Sequence, residues 1–244
     1  MQEQNRKTTI PVQLNFQLTV TDHPDIINCI KQRAYKIIYD GTDGICIYDK
    51  INQLYYADAL SNRATEIILK NTKQLTGDLV ARGAIMKHVC EQYRMLLSKP
   101  YQFAVFMETV PQKATPIPYQ IHKLTKDAIP YICAHYSYKP LAIPEYIEER
   151  IEAGMLGAFQ DHQPVAFIGT HDNGSIGLLE VEAMHQRKGI GAALTLRMIK
   201  EQMKKGLIPY AELFTDNKKS HKMAEKLNLK LSKSLIYWVY LDVD

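Results

Sequence analysis

Cysteine is scarce in this chain and never paired. Cys29, Cys46, Cys90 and Cys133 are scattered, with no CxxC spacing among them. This excludes the common zinc frameworks and the dense cross-linking of small secreted domains, and fits a reduced compartment. No metal is expected. No run approaches the ~20 apolar residues of a membrane-spanning helix. Met1 to Lys7 are polar, and no apolar block of leader type follows them. The reading is a cytoplasmic protein with no membrane partner. A formal charge of +4 is too small to imply a nucleic-acid partner on its own. The basic residues between Arg187 and Lys233 lack the interleaved aromatics of a single-strand binder. The one tryptophan, Trp238, reads as core or as a pocket wall.

Among what is present, the most telling stretch is Gln186-Arg187-Lys188-Gly189-Ile190-Gly191-Ala192, which follows the apolar run Ile176 to Val181 and opens a helical pattern. At a helix start the first N–H groups have no intrahelical partner, and the macrodipole adds partial positive charge. An anion fits there. Gly189 and Gly191 remove the Cβ atoms that would hold a diphosphate off the backbone, and Arg187 and Lys188 add formal charge. A dinucleotide fold would need a third glycine and an acidic residue about 20 positions on. A Walker loop would need Gly-Lys followed by Ser or Thr. Neither spacing is met.

The segment resembles the acyl-CoA signature of the GNAT superfamily of N-acyltransferases: Gln or Arg, two residues, Gly, one residue, Gly or Ala. Gln186, Gly189 and Gly191 match it without gaps. Around it the expected elements follow: strand Val165 to Thr170, a hairpin turn at Asn173-Gly174, a strand ending at Val181, a helix capped near Gly206, strand Ala211 to Thr215, and a closing strand Leu235 to Leu241. Asn217 and Ser220 resemble the family's Asn, two residues, Ser motif on the next helix. The fold class is therefore α/β with a mixed, mostly antiparallel central sheet flanked by helices. The resemblance implies acetyl-CoA or another acyl-CoA as donor, bound by Val181, Glu182, residues Gln186 to Ala192, Asn217 and Ser220. Two departures stand out: Ala224 replaces the tyrosine many relatives carry after that Ser, and the glutamate that several place near the start of the central strand is absent.

Transfer to a primary amine of a small molecule or peptide needs a proton acceptor and a donor for the leaving thiolate. Glu180 is the expected base, with Glu182 on the same strand face; both also read as ordinary polar positions at a sheet rim. Tyr237 on the last strand is the expected acid, with Tyr240 and Tyr210 as alternatives and packing as the bland reading for each. The resemblance implies direct transfer with a Val181 N–H aimed at the thioester carbonyl. A non-catalytic acyl-CoA sensor is the competing reading, favoured by Ala224. A homodimer stays open.

In the first half, Val12, Leu14, Phe16, Leu18 and Val20 alternate as a half-buried strand would. A helix is expected after Pro24, strands over 36–39, 44–48 and 53–57, a helix over 62–69, a strand over 79–81, a helix over 84–93 and a strand over 101–107. The three prolines between Val110 and Pro118 read as a linker, giving domains 1–112 and 119–244 with 113–118 between. Set without gaps, Leu79 to Met107 and Leu213 to Leu241 share the same element order, with Leu97-Ser98-Lys99 matching Leu231-Ser232-Lys233. The expectation is two GNAT-like halves, the first degenerate, as in glycine N-acyltransferase-like proteins, with only the second binding CoA.

Overall fold

The computed structural model describes residues 10–32, 34–72, 78–86, 88, 95–109 and 115–241. The first half runs α1 (Pro24–Gln32), β1 (Tyr35–Gly41), β2 (Gly44–Asp49), β3 (Leu54–Ala59), α2 (Asn62–Asn71), β4 (Leu79–Gly83), β5 (Met95–Leu97) and β6 (Tyr101–Val105). Behind a strand and two helices, where the first half has α1, the second half repeats the order of β1 to β6 among the described elements, with one more helix before its last two strands. It runs β7 (Gln120–Lys123), α3 (Ile129–His135), α4 (Pro144–Ala153), β8 (Leu156–Gln160), β9 (Gln163–Thr170), β10 (Ile176–Val181), α5 (Ile190–Lys204), β11 (Tyr210–Phe214), α6 (Lys218–Lys226), β12 (Lys230–Leu231) and β13 (Ile236–Leu241). The internal match holds for the closing strands, while the preceding strand is offset by three residues, since β11 begins at Tyr210 where the ungapped match with Leu79 names Leu213.

All described strands join one mixed sheet in the order β1-β2-β3-β4-β13-β6-β11-β10-β9-β8-β7, with β5 on β13 and β12 on β6. The order shows an exchange. The last strand of the first half, β6, pairs with β11 of the second from Tyr210↔Val105 to Phe214↔Tyr101. The last strand of the second half, β13, pairs with β4 of the first from Ile236↔Arg82 to Val239↔Leu79. Each half is completed by the other's C-terminal strand. The proline-rich segment lies between them, and its residues 110–114 are outside the described residues, as is most of the helix expected over 84–93.

Alternation along the strands sends side chains to two covered faces. On one, Ile26, Ile27 and Ile30 of α1 pack with Ile45, Val80, Phe103 and Tyr210, and Ile132 of α3 with Ile147 and Ile151 of α4 pack on Phe167 and Leu178. On the other, α2 covers Ala57 and Ala81, and α5 covers Ala166, Ile168 and Ile176. Ser61 starts α2 by accepting the Ala64 N–H at 3.0 Å. The expected strand at 12–20 does not form. The segment is buried in strict alternation, Phe16 most deeply, yet it joins no ladder. Its period reports packing against α1's core, while the Asn15 and Phe16 N–H groups go to the Asp40 carboxylate. The helix expected after Pro24 ends at Gln32, and Tyr35 begins β1.

The two parallel strand pairs differ. In the first half β3 and β4 stay in register from Tyr55↔Leu79 to Ala59↔Gly83. Behind them, Arg82 forms a fully buried ion pair with Asp25, its Nη1 also donating to the Asp22 carbonyl at 2.8 Å, and His23 Nε2 meets Asp58 Oδ2 at 2.9 Å. That closed, ion-paired seam leaves no opening between the strands. Removing Arg82 strands a buried Asp25 carboxylate, so Arg82→Ala should lower unfolding free energy by roughly 3–5 kcal/mol, measured by urea denaturation; a loss below about 1 kcal/mol would show that the pair contributes little.

Candidate active site

In the second half the equivalent pair is open. β10 and β11 share a single registered pair, Ile176↔Ala211, and beyond it they part. β10 is held on its outer side by β9, with a register shift between Gly177 and Glu180 and a left-handed Leu178 at φ 49. This bulge adds one residue to β10. Without it Glu180 would share the α5 face with Ile176; with it, Glu180 stands opposite Phe167 on the α3 and α4 face. Leu179 and Val181 turn to α5. The Glu182 N–H donates to the Val165 carbonyl of β9, so by strand alternation the Val181 N–H and C=O face the gap. The Val181 carbonyl there accepts the Gln186 side chain at 3.0 Å.

Above the gap the turn 186–189 has the geometry of an anion cradle. Arg187 at φ 64 and Gly189 at φ 83 are both left-handed, and Gly189 is the N-cap of α5 with no side-chain cap. The first-turn N–H groups are thereby left free for an anion. Arg187 and Lys188 are exposed beside them, while Ile190 is buried and anchors the helix. A Cβ on Gly191 would lie 3.3 Å from Met223 Cε, 3.7 Å from Leu179 Cδ2 and 3.9 Å from Val181 Cγ2. Gly191 therefore keeps the passage between β10 and α6 clear, and Ala192 packs beside it.

Asn217 caps α6, its side chain accepting the Ser220 N–H at 3.2 Å. Ala224 is buried against Ala104 and Leu213, so no phenol stands there. Tyr237 pairs with Ala81 and lies on the α2 face of β13, with β6 and β11 between it and β10. The structure does not bring it to Glu180.

On the α3 and α4 face the carboxylates of β10 are held by the α3 region. Glu180 Oε2 accepts the Ser137 N–H at 2.9 Å, and Glu182 Oε1 accepts the Tyr131 hydroxyl at 2.8 Å. Burial and the neighbouring Glu180 charge push the Tyr136 phenol up to about 12. His185 is bonded to the Tyr119 hydroxyl at 3.1 Å. Two groups not singled out from the sequence also lie here. His171 packs on Gly177, where a Cβ would sit 2.1 Å from its Nε2; burial, then the Arg150 charge, push the imidazole down to about 4. Glu212, on β11 next to Ala211, has its carboxyl pushed up by burial to about 7, against the hydrogen bonds of Asn173 and Trp238. A lone acid in the apolar strand Tyr210–Phe214 was the available signal. Among the described residues no group of three His, Cys, Asp or Glu side chains is placed to hold a metal, and no helix is long and apolar enough to cross a membrane.

The open parallel pair and the glycine turn that starts the helix between its strands lie within a fold that the chain shares with solved proteins described as GNAT-family or GCN5-related acetyltransferases. Residues 155–239, in the half that carries the open pair, match the family described as FR47-like protein. Among solved structures, a Drosophila protein aligns over 82% of this chain and 75% of its own, at 14% identity and a TM-score of 0.62. A GCN5-related N-acetyltransferase from Kribbella flavida aligns over 91% and 94%, at 13% identity and TM-score 0.53. An acetyltransferase of the GNAT family from Colwellia psychrerythraea aligns over 82% and 81%, at 12% and 0.51. At such identities the likeness is one of fold. None of these three is described as a glycine N-acyltransferase, so that narrower resemblance gains no support from them. No curated protein matches the sequence.

The capping role of Asn217 is directly measurable. Asn217→Ala should cost about 1 kcal/mol of stability, and Asn217→Ser should restore most of it; equal urea midpoints for the Ala variant and the parent would remove the cap as a stabilising element.

Proposed function

We propose that the protein is an acyl-CoA-dependent N-acyltransferase, with acetyl-CoA as the expected donor, that passes the acyl group directly to a primary amine. The observation that carries this reading is the opening of β10 from β11 directly below the left-handed turn at Arg187 and Gly189. The residues fit the donor. The diphosphate would lie on the first-turn N–H groups of residues 189–192, with Arg187 and Lys188 adding charge. Pantetheine would run down the gap as an added strand along Val181 and Glu182, since β11 does not take the inward N–H of Val181, while the Val181 carbonyl accepts Gln186 and keeps a second lone pair. Gly191 leaves room for it beside Met223 of α6, the helix that Asn217 and Ser220 begin and that would supply their contacts to pantetheine.

The acyl carbon then emerges at the α3 and α4 face, where Glu180 and Glu182 line the rim and favour a cationic amine. The acceptor is a small-molecule or peptide amine. Bound at primary-amine depth, it would sit between the α3 and α4 segment and β13. The burial of Ala224, which leaves the leaving thiolate without the family's phenol, keeps a non-catalytic acyl-CoA sensor as the second reading.

Acetyl-CoA at a hundredfold excess over its Kd should stabilise the native state by about 2.7 kcal/mol, read as a rise in Tm. Gly191→Gln fills the passage beside Leu179 and Met223 and should abolish that rise while the ligand-free protein still unfolds cooperatively. No rise with the parent protein would sink the CoA assignment. Release of CoA thiol with any amine would exclude the sensor; stabilisation without release across a broad amine panel would favour it.

A further inference from the structure

We propose that Glu212 is the catalytic base of this transfer, its carboxylate taking the proton of the acceptor amine at the point where β10 and β11 separate. The inference rests on the acyltransferase reading of the same site. Glu212 directly follows Ala211, the last residue of β11 to touch β10. By alternation with Ala211 and Leu213 it lies on the sheet face of Tyr210, which packs with α1 and which further along carries α3 and α4, opposite the diphosphate turn. Thus it stands at the floor of the gap, while Glu180 stands further out along β10.

Its surroundings suit a proton acceptor better than a structural ion. Oε1 accepts from Asn173 Nδ2, and Oε2 accepts from Trp238 Nε1 at 3.2 Å. Both donors are neutral, and none of the ion pairs among the described residues includes Glu212. The residue as a whole is half-buried, while its carboxylate is enclosed. A carboxylate so placed has orientation without a fixed counter-charge, and spare lone pairs for an incoming N–H. By contrast Glu180 is tied to the Ser137 amide at the rim, and Glu182 to Tyr131.

The proton affinity agrees with this geometry. Burial raises the Glu212 carboxyl to about 7; Asn173 and Trp238 oppose that rise, the Asp25 charge adds to it, and Tyr101 opposes it. The other titratable groups facing it are Tyr210 on its own strand, Tyr146 on α4 and Tyr240 on β13, all held as neutral phenols by burial. Arg82 of β4, shared by the Tyr101 and Tyr210 surroundings, is already paired to Asp25. A base with proton affinity near the working pH is well matched to its task.

The step balances. The amine lone pair forms the C–N bond to the acyl carbon, the surplus N–H proton passes to Glu212, and the C–S bond breaks as the amide carbonyl re-forms. The thiolate gains one proton from solvent, and Glu212 later returns one to solvent. Trp238 is a positioning residue here. It arrives on the exchanged strand β13, so the first half of the chain, through β4, orients a group that acts in the second.

The test uses the full chain, acetyl-CoA and a panel of polyamines, arylalkylamines, amino acids and a lysine peptide, with CoA thiol release as readout. Parent kcat/KM should fall as pH drops below about 7, because the base must be deprotonated. E212Q should lower kcat by about 10²–10³-fold, remove that acid limb and keep the acetyl-CoA rise in Tm. W238F deletes one donor to the carboxylate, so it should move the acid limb to higher pH, which a purely packing role would not do. E180Q should keep the limb. Parent-like kcat and limb in E212Q, or a lost limb in E180Q, would overturn the assignment of Glu212 alone. An unmoved limb in W238F would overturn the positioning role of Trp238. Absence of thiol release by the parent with every amine would overturn the transferase reading itself and this inference with it.

Discussion

The site depends on how two adjacent parallel strands are held apart. β10 is fixed by β9 on its outer side and β11 by β6 on its own, and their one registered pair with each other is Ile176 and Ala211. Each strand is anchored by an antiparallel neighbour, so neither needs the other for its outer hydrogen bonds. The bulge at Leu178 lets β10 turn away, and sets which face Glu180 presents. The inner backbone edge is then available to a ligand that can extend the sheet. The neighbour that holds β11 is the strand exchanged from the first half.

The same fold run with the strands closed gives the first half. There β3 and β4 remain paired to Ala59 and Gly83, and the Arg82–Asp25 and His23–Asp58 pairs occupy the seam. One half is thus braced across its parallel pair, and the other is open there. Because β6 and β13 cross over, the braced half is not a separable appendage: β6 is the outer support of the gap, and β13 carries Trp238 to Glu212. Replacing either strand would disturb both halves.

Much of the second half was legible from residue pattern alone. The strand, glycine turn and helix from Ile176 to Lys204 carry their own local signals, a periodicity change and two glycines, and Gly189 does adopt the left-handed conformation such a turn demands. Asn217 caps α6 through the N–H of Ser220 three residues on, an equally local arrangement. The segment 12–20 misled because alternating burial is necessary for a strand but does not supply a partner. Tyr237 misled because its place depends on which strand β13 pairs with, and it pairs with β4. Glu212 drew no notice as one acid among several; only its packing between Asn173 and Trp238, residues 39 and 26 positions away, distinguishes it.

By itself the sequence determined the elements whose causes lie within a few residues: helix starts, the left-handed glycine turn above the gap, and the order of elements around it. Tertiary structure decided the exchange of final strands, the closure of one parallel pair and opening of the other, and the packing of Glu212 between Asn173 and Trp238. The reason is physical. Backbone conformation and capping are set by near neighbours, whereas strand pairing, burial and proton affinity are set by groups that only the folded sheet brings together.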